Sequence, residues 1–261
     1  MTLTVPVSTE GLNLTLDAGG GGFLVGIGLP PVLIQNRNSY MKSEVFNEDC
    51  LAAMRLMPDK AFDLAIVDPP YGIGEHGGKK REGGQARAKG LKSAAYSAKD
   101  WDNDIPTEEY FRELQRVSKN QIIWGGNYFI GHLQPTPCFI VWDKKSNDGS
   151  DFADCELAWT SFSTAVRKFK YDWIGFGYLN NPEGERKIHP TQKPVALYRW
   201  LLDKYAQSGD TILDSHLGSG SSRIAAHQMG FDFTGYELDP EYFAASEKRF
   251  ELAIQQQSLF Q

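Results

Sequence analysis

The 261-residue sequence is poor in cysteine and histidine. Cys50, Cys138 and Cys155 are its three cysteines, far apart and without a C-x-x-C pair, and its five histidines show no ligand spacing. These absences exclude a disulfide framework and a structural zinc site, predict no bound metal, and fit a reducing cytoplasm. Long apolar runs are missing too. The longest, from Phe23 to Ile34, is interrupted by Pro30-Pro31 and falls short of the ~20 residues that cross a bilayer, so no membrane association is expected. No basic segment precedes it, so it does not read as a signal peptide. No internal repeat and no nuclease motif is visible. A positive net charge is also absent: the formal value is −6. That argues at first against a nucleic-acid partner, but binding depends on where charges sit.

What is present falls into two parts. Residues 1–40 contain Gly19-Gly20-Gly21-Gly22, few charges and no periodicity, and read as a loosely attached extension or as a short hairpin packed on the core. Residues 41–261 alternate strand and helix. A strand at 44–47 leads to a helix that Asp49 can cap, ending near Pro58. Phe62 to Val67 is the apolar, β-branched run of a buried parallel strand. It ends at Asp68-Pro69-Pro70-Tyr71, where proline stops the ladder. Further on, the pattern predicts a helix over 107–118, with Tyr110, Phe111, Leu114 and Val117 on one face. Strands are predicted at 121–124, 138–142 and 156–160. A helix follows from Pro194, then a strand at 211–213, a turn into a helix reaching Met229, a strand at 233–236 and a last helix opened by Asp239-Pro240. The order implies an α/β sandwich with a largely parallel sheet and helices on both faces.

Between Lys79 and Lys99 lie Lys79, Lys80, Arg81, Arg87, Lys89, Lys92 and Lys99 against the single acid Glu82, a local charge of +6 that leaves −12 elsewhere. This glycine-rich basic segment, directly after Asp68–Tyr71, is the expected contact with phosphates, with Lys79, Lys80, Arg81, Arg87, Lys89 and Lys92 in that role; a solvated linker is the alternative. In the stretch 165–188, basic residues interleave with Phe169, Tyr171, Trp173, Phe176 and Tyr178, which suits either base stacking or ordinary strand packing.

The strand 211–213 runs into Asp214-Ser215-His216-Leu217-Gly218-Ser219-Gly220-Ser221. Gly218 and Gly220 permit a sharp turn and close ligand approach, and the helix beyond presents free N–H groups. Glu237, 23 positions after Asp214, can accept hydrogen bonds from ribose hydroxyls. Together these imply a nucleoside-containing cofactor. Arg223 stands where the dinucleotide fingerprint needs Gly or Ala, which counts against a nicotinamide oxidoreductase.

Asp68–Tyr71, at the carboxyl end of a buried strand, suits a different chemistry. An exocyclic base amine is a poor nucleophile because its lone pair is conjugated with the ring. Asp68 can accept one of its N–H groups, a carbonyl of the Pro69-Pro70 segment can accept the other, and Tyr71 can stack on the base. In His189-Pro190-Thr191-Gln192-Lys193-Pro194, Thr191 and the free N–H groups of a helix start are expected to hold a carboxylate, with charge from Lys193.

Taken in order, Asp68–Tyr71, His189–Pro194, Asp214–Ser222 and Gly235 through Tyr242 resemble the motifs of the beta-class DNA amino-methyltransferases, over roughly residue 44 to the C-terminus. The resemblance implies a Rossmann-like class I methyltransferase sheet of seven strands and S-adenosylmethionine as cofactor. It implies methyl transfer to adenine N6 of a flipped-out base in double-stranded DNA. It places target recognition in an insertion at about 75–188. It gives Asp49 and the Cys50 backbone the cofactor's adenine, and Asp214, His216, Gly218, Gly220, Ser221 and Glu237 further cofactor contacts. Homodimers are common in this family. The family's loop usually has Pro-Phe where this sequence has Ser215-His216, and the His216 ring is expected to pack where phenylalanine would lie. Members with serine in place of Asp68 tend to act on cytosine N4. Cytosine-N4 transfer and a non-catalytic DNA- or cofactor-binding protein are the competing readings.

Overall fold

The computed structural model of the chain describes residues 41–74, 99–144, 153–173 and 183–258. The 1–40 extension and the six basic residues from Lys79 to Lys92 lie outside these. Eight strands among the described residues form one sheet: β1 (Ser43–Phe46), β2 (Phe62–Val67), β3 (Ser118–Trp124), β4 (Phe139–Asp143), β5 (Cys155–Thr160), β6 (Arg167–Lys170), β7 (Thr211–Asp214) and β8 (Asp232–Tyr236). The helices are α1 (Cys50–Leu56), α2 (Glu108–Val117), α3 (Val195–Tyr205), α4 (Ser221–Met229) and α5 (Pro240–Ser258). The strand order is β1-β8-β7-β2-β3-β5-β4-β6. Only β5 runs antiparallel to its neighbours β3 and β4; the other pairings are parallel.

Alternation along the strands divides the core into two layers. Leu64 and Ile66 of β2, with Ile122 and Trp124 of β3, pack on one face beneath Leu197 and Leu201 of α3, Ala225 and Ala226 of α4 and Phe250 of α5. Ala65, Val67 and Ile123 point the other way, against Met54 of α1 and Tyr110, Phe111, Leu114 and Val117 of α2. The result is a doubly covered sheet, and the helix face predicted at 107–118 is a buried one. Asp49 caps α1 through Oδ1, which accepts from Leu51 N at 2.8 Å. Asp239 caps α5 in the same way, accepting from Glu241 N at 2.9 Å and Tyr242 N at 3.1 Å.

The order of the strands fixes where a site can form. After β2 the chain crosses to β3, and after β7 it crosses to β8 on the opposite side. β2 and β7 are themselves neighbours, with Ala65 opposite Leu213. The connections therefore diverge between them and leave a crevice at their carboxyl ends, the usual ligand position in open α/β sheets. Asp68 and Asp214 stand at these two ends.

One sequence expectation changes. The sheet has eight strands among the described residues rather than seven, because Arg167–Lys170 adds the edge strand β6 beside β4. Of the basic–aromatic stretch, which suited either stacking or packing, the described part packs: Phe169 stacks on Tyr171 at 5.6 Å and lies 5.3 Å from Trp200, and the buried Trp173 indole donates to Gln192 O at 2.9 Å, while Phe176 and Tyr178 lie outside the described residues.

Candidate active site

Asp68 follows β2 and is the centre of a hydrogen-bonded group. Its Oδ1 accepts from the Tyr71 hydroxyl at 2.6 Å, and its Oδ2 accepts from Lys193 Nζ at 2.5 Å. Lys193 Nζ also donates to the Tyr71 oxygen at 3.2 Å and lies 3.0 Å from Glu156 Oε2. Glu156 Oε1 in turn is 2.5 Å from Lys144 Nζ. Burial pushes the Asp68 carboxyl above the usual carboxylate range against the pull of Lys193. Burial also disfavours the Glu156 charge, but the ammoniums of Lys193 and Lys144 hold its carboxyl down at about 2.

The turn after Asp68 is shaped by residues that the sequence reading left without a role. Asp102, buried, accepts through Oδ1 from Tyr71 N at 2.7 Å and Gly72 N at 3.0 Å. Pro69 is buried and Pro70 partly so, and their fixed φ stiffens the same turn. Gly125, just beyond β3, has φ +70, and a Cβ there would lie 2.2 Å from the Tyr71 ring. Only glycine therefore lets that ring settle against the backbone. Tyr128 stacks on Tyr71 with centroids 4.9 Å apart and planes 15° apart, and is 43% exposed.

The second half of the site is built after β7. Asp214 is buried; its Oδ2 accepts from Ser222 Oγ at 2.5 Å and its Oδ1 from His216 N at 3.0 Å. Burial lifts its carboxyl to about 7. Gly218 and Gly220 adopt φ +51 and +73, turning the chain into α4. Glu237, at the end of β8, is oriented by Gly218 N at 2.8 Å and Asp239 N at 2.9 Å. The His216 ring meets Tyr110 edge to face at 5.3 Å, with Nδ1 3.0 Å from Ser215 Oγ. Burial lowers its pKa to about 4, so it is neutral at physiological pH. Cys50 is partly buried, and burial raises its thiol to about 12. Arg223 leaves α4 for β1 and α5, with Nε 3.0 Å from Ser43 Oγ, an ion pair to Glu247, and its guanidinium 3.8 Å from the Phe250 ring centroid. Bulk at this position therefore does not obstruct the helix–strand contact.

The two halves meet through one residue. While the Lys193 ammonium binds Asp68 and Tyr71, its carbonyl accepts from Ser221 Oγ of the glycine loop at 2.7 Å. Arg249 of α5 reinforces the loop, donating to Ser219 O at 2.7 Å and Ser221 Oγ at 2.9 Å while pairing with Glu185 at 2.5 Å.

The segment His189–Pro194 corrects an expectation. The first N–H of α3, from Val195, is already satisfied by Glu185 Oε1 at 2.9 Å. Thr191 turns its hydroxyl to His189 Nδ1 at 3.1 Å, and Lys193 faces Asp68. These residues do not form an open anion site at a helix start; the segment instead serves the carboxylate after β2. Lys99 likewise is not a free phosphate contact: its ammonium lies 2.5 Å from Asp239 and 2.7 Å from Glu241. Among the described residues no group of three His, Cys, Asp or Glu is placed to hold a metal, and no helix is long and apolar enough to cross a membrane.

The DNA methylase family model N6_N4_Mtase matches residues 134–248, which include His189–Pro194, the glycine loop and Glu237 but not Asp68. The Type II methyltransferase M.HinfI of Haemophilus influenzae is 23% identical over 259 residues, covering 82% of this chain and 70% of that protein. Among solved structures, the cytosine-N4-specific PvuII DNA methyltransferase superposes with a TM-score of 0.51 at 15% identity, over 80% of this chain and 87% of that one. The M1.HpyAVI–SAM complex gives a TM-score of 0.48 at 19% identity, over 79% and 98% of the two chains. The sheet has the fold of the class I methyltransferases. Over residues 134–248 the chain is thus similar to the N6/N4 DNA methylases.

Proposed function

We propose that the chain methylates adenine N6 in double-stranded DNA, with Asp68 as the acceptor for the amine. The observation that carries this reading is the buried Asp68 carboxylate at the switch point. It is held by Tyr71 and Lys193 and connected through Lys193 to the glycine loop. Each Asp68 oxygen accepts one hydrogen bond within the protein and keeps a lone pair for a substrate N–H. S-adenosylmethionine supplies a methyl group on a sulfonium. The residues fit such a cofactor: Glu237, held by two backbone N–H groups, suits a ribose diol, and the positive-φ glycines open the backbone beside it. Gly218, Gly220, Ser221, His216 and Asp214 form that side of the site. Asp49 and the Cys50 backbone, at the start of α1, take the adenine end.

In the reaction the amine lone pair forms the new N–C bond and the electrons of the broken S–C bond return to sulfur. The nitrogen then carries a positive charge and releases one proton to Asp68. Asp68 helps twice, drawing the amine away from conjugation and taking that proton. The carbonyls of Pro69 and Pro70 orient the second N–H, and the Tyr71–Tyr128 pair supplies the aromatic surface for a base turned out of the helix. Alignment of the reactants supplies much of the remaining acceleration.

A carboxylate at position 68 favours adenine over cytosine. Mass-spectrometric nucleoside analysis of DNA from a methylation-deficient host expressing the chain tests this. N6-methyladenine is expected, and N4-methylcytosine would reverse the assignment. The same reading places the protein in the cytoplasm and assigns Lys79, Lys80, Arg81, Arg87, Lys89 and Lys92 to phosphates. It also includes a homodimer, which light scattering in solution would test.

A further inference from the structure

The carboxylate that receives the amine proton does not hold its lysine alone. Lys193 is a buried ammonium, 2% exposed at its side chain, placed between two acids: Asp68 at 2.5 Å and Glu156 at 3.0 Å. Glu156 comes from β5, a strand distant in sequence from both motifs. Its Oε2 acts on the Lys193 ammonium both by charge and as a hydrogen-bond acceptor. Its Oε1 is tied to Lys144 at 2.5 Å. Asp68, Lys193, Glu156 and Lys144 therefore form a row of alternating charge that begins at the reacting centre.

A pair of Asp68 and Lys193 would already balance charge, so the second acid calls for an explanation. An undivided ammonium against Asp68 in a buried site would make that carboxylate a poor proton acceptor. A fixed anion on the far side of the ammonium offsets this. We propose that Glu156 is a positioning residue for methyl transfer: by sharing the Lys193 ammonium, it keeps Asp68 basic enough to take the proton that the methylated amine releases. The proposal rests on the reading of Asp68 as amine acceptor.

The surroundings allow these roles to be separated. Glu156 stays ionised because Lys193 and Lys144 outweigh its burial, whereas burial raises Asp68. Tyr71, Tyr110 and Tyr198 are the phenols nearest the group, and burial drives all three well above their ordinary value, so they remain neutral. Asp214 is the other acid facing Asp68. It is bound to Ser222 and His216.

The test is single-turnover methyl transfer to DNA from a methylation-deficient host, from about pH 5 to about pH 9, with S-adenosylhomocysteine affinity and thermal melting as controls. Glu156→Gln should lower the plateau rate about tenfold, part of the roughly 10²–10⁴ that a positioned acid or base contributes. It should also move the acid limb down by roughly one pH unit, because Lys193 then acts on Asp68 alone. Lys144→Gln should move the limb up, since it removes a cation and leaves Glu156 to Lys193; this variant decides the matter if Glu156→Gln does not fold. Folded, cofactor-binding variants with the wild-type limb and plateau would overturn the proposal. Asp68→Ala run alongside separates the two ideas: activity retained there defeats the reading of Asp68, whereas an inactive Asp68→Ala with a wild-type Glu156→Gln defeats only the role of Glu156.

Discussion

The ammonium of Lys193 lies 2.5 Å from an Asp68 oxygen across 125 residues of sequence. The contact joins a turn after β2 to the start of α3, and through the Lys193 carbonyl it reaches the glycine loop after β7. Three segments that carry separate motifs thus share one residue. Displacing any of them is expected to disturb the carboxylate proposed to accept the amine.

Gly125→Ala tests how firmly the Tyr71 ring is placed. The added methyl would fall within 2.2 Å of that ring, at a φ of +70, which L-residues adopt only under strain. The variant should lose roughly 1–3 kcal/mol of stability and lose transfer rate more than cofactor affinity, because Tyr71 belongs to the half proposed to meet the base. Chemical denaturation and S-adenosylhomocysteine calorimetry measure the two effects.

Asp214 makes a pH prediction. Burial holds its folded-state pKa at about 7, above the ordinary 3.8, so the folded chain binds this proton more tightly than the unfolded chain. Stability from this group is full below about pH 4 and is lost as pH rises toward about 7. The loss is on the order of 4 kcal/mol. Asp214→Asn cannot ionise and should flatten that part of the melting profile. A profile unchanged from wild type between those limits would remove Asp214 as its source.

Glu237→Gln tests the ribose contact. The amide keeps one oxygen but cannot accept on both sides, where Gly218 N and Asp239 N now donate. Loss of one charge-assisted hydrogen bond is worth roughly 1.5–3 kcal/mol. S-adenosylhomocysteine should bind about tenfold to a hundredfold more weakly. The transfer rate at saturating cofactor should change far less.

Much of this was legible in the sequence, and the exceptions have physical causes. The elements around Asp68 and Asp214 were readable because apolar runs end there in proline or glycine. β6 was not, since Arg167–Lys170 is a four-residue edge strand whose burial pattern is mostly exposed. The partners of Asp68 were partly hidden. Glu156 sits in a strand that reads as ordinary, and only a carboxylate in a buried run hinted that a cation must face it. Gly125-Gly126 was a comparable signal, a glycine pair at the carboxyl end of the interior strand β3, beside Asp68 and Tyr71. Lys193 was singled out for the wrong anion: sequence places it at a helix start, where Glu185, a further eight residues upstream, already satisfies the Val195 N–H.

The central claim is that Asp68 activates the amine at a site shared with the cofactor loop. Rapid-quench transfer of a tritiated methyl from S-adenosylmethionine to DNA, comparing wild type with Asp68→Ala, addresses it most directly. The account predicts that the rate in Asp68→Ala falls by at least about 10² while S-adenosylhomocysteine affinity stays within about threefold of wild type, a difference of ~0.7 kcal/mol. A variant that transfers methyl groups at the wild-type rate, with cofactor affinity intact, would contradict it.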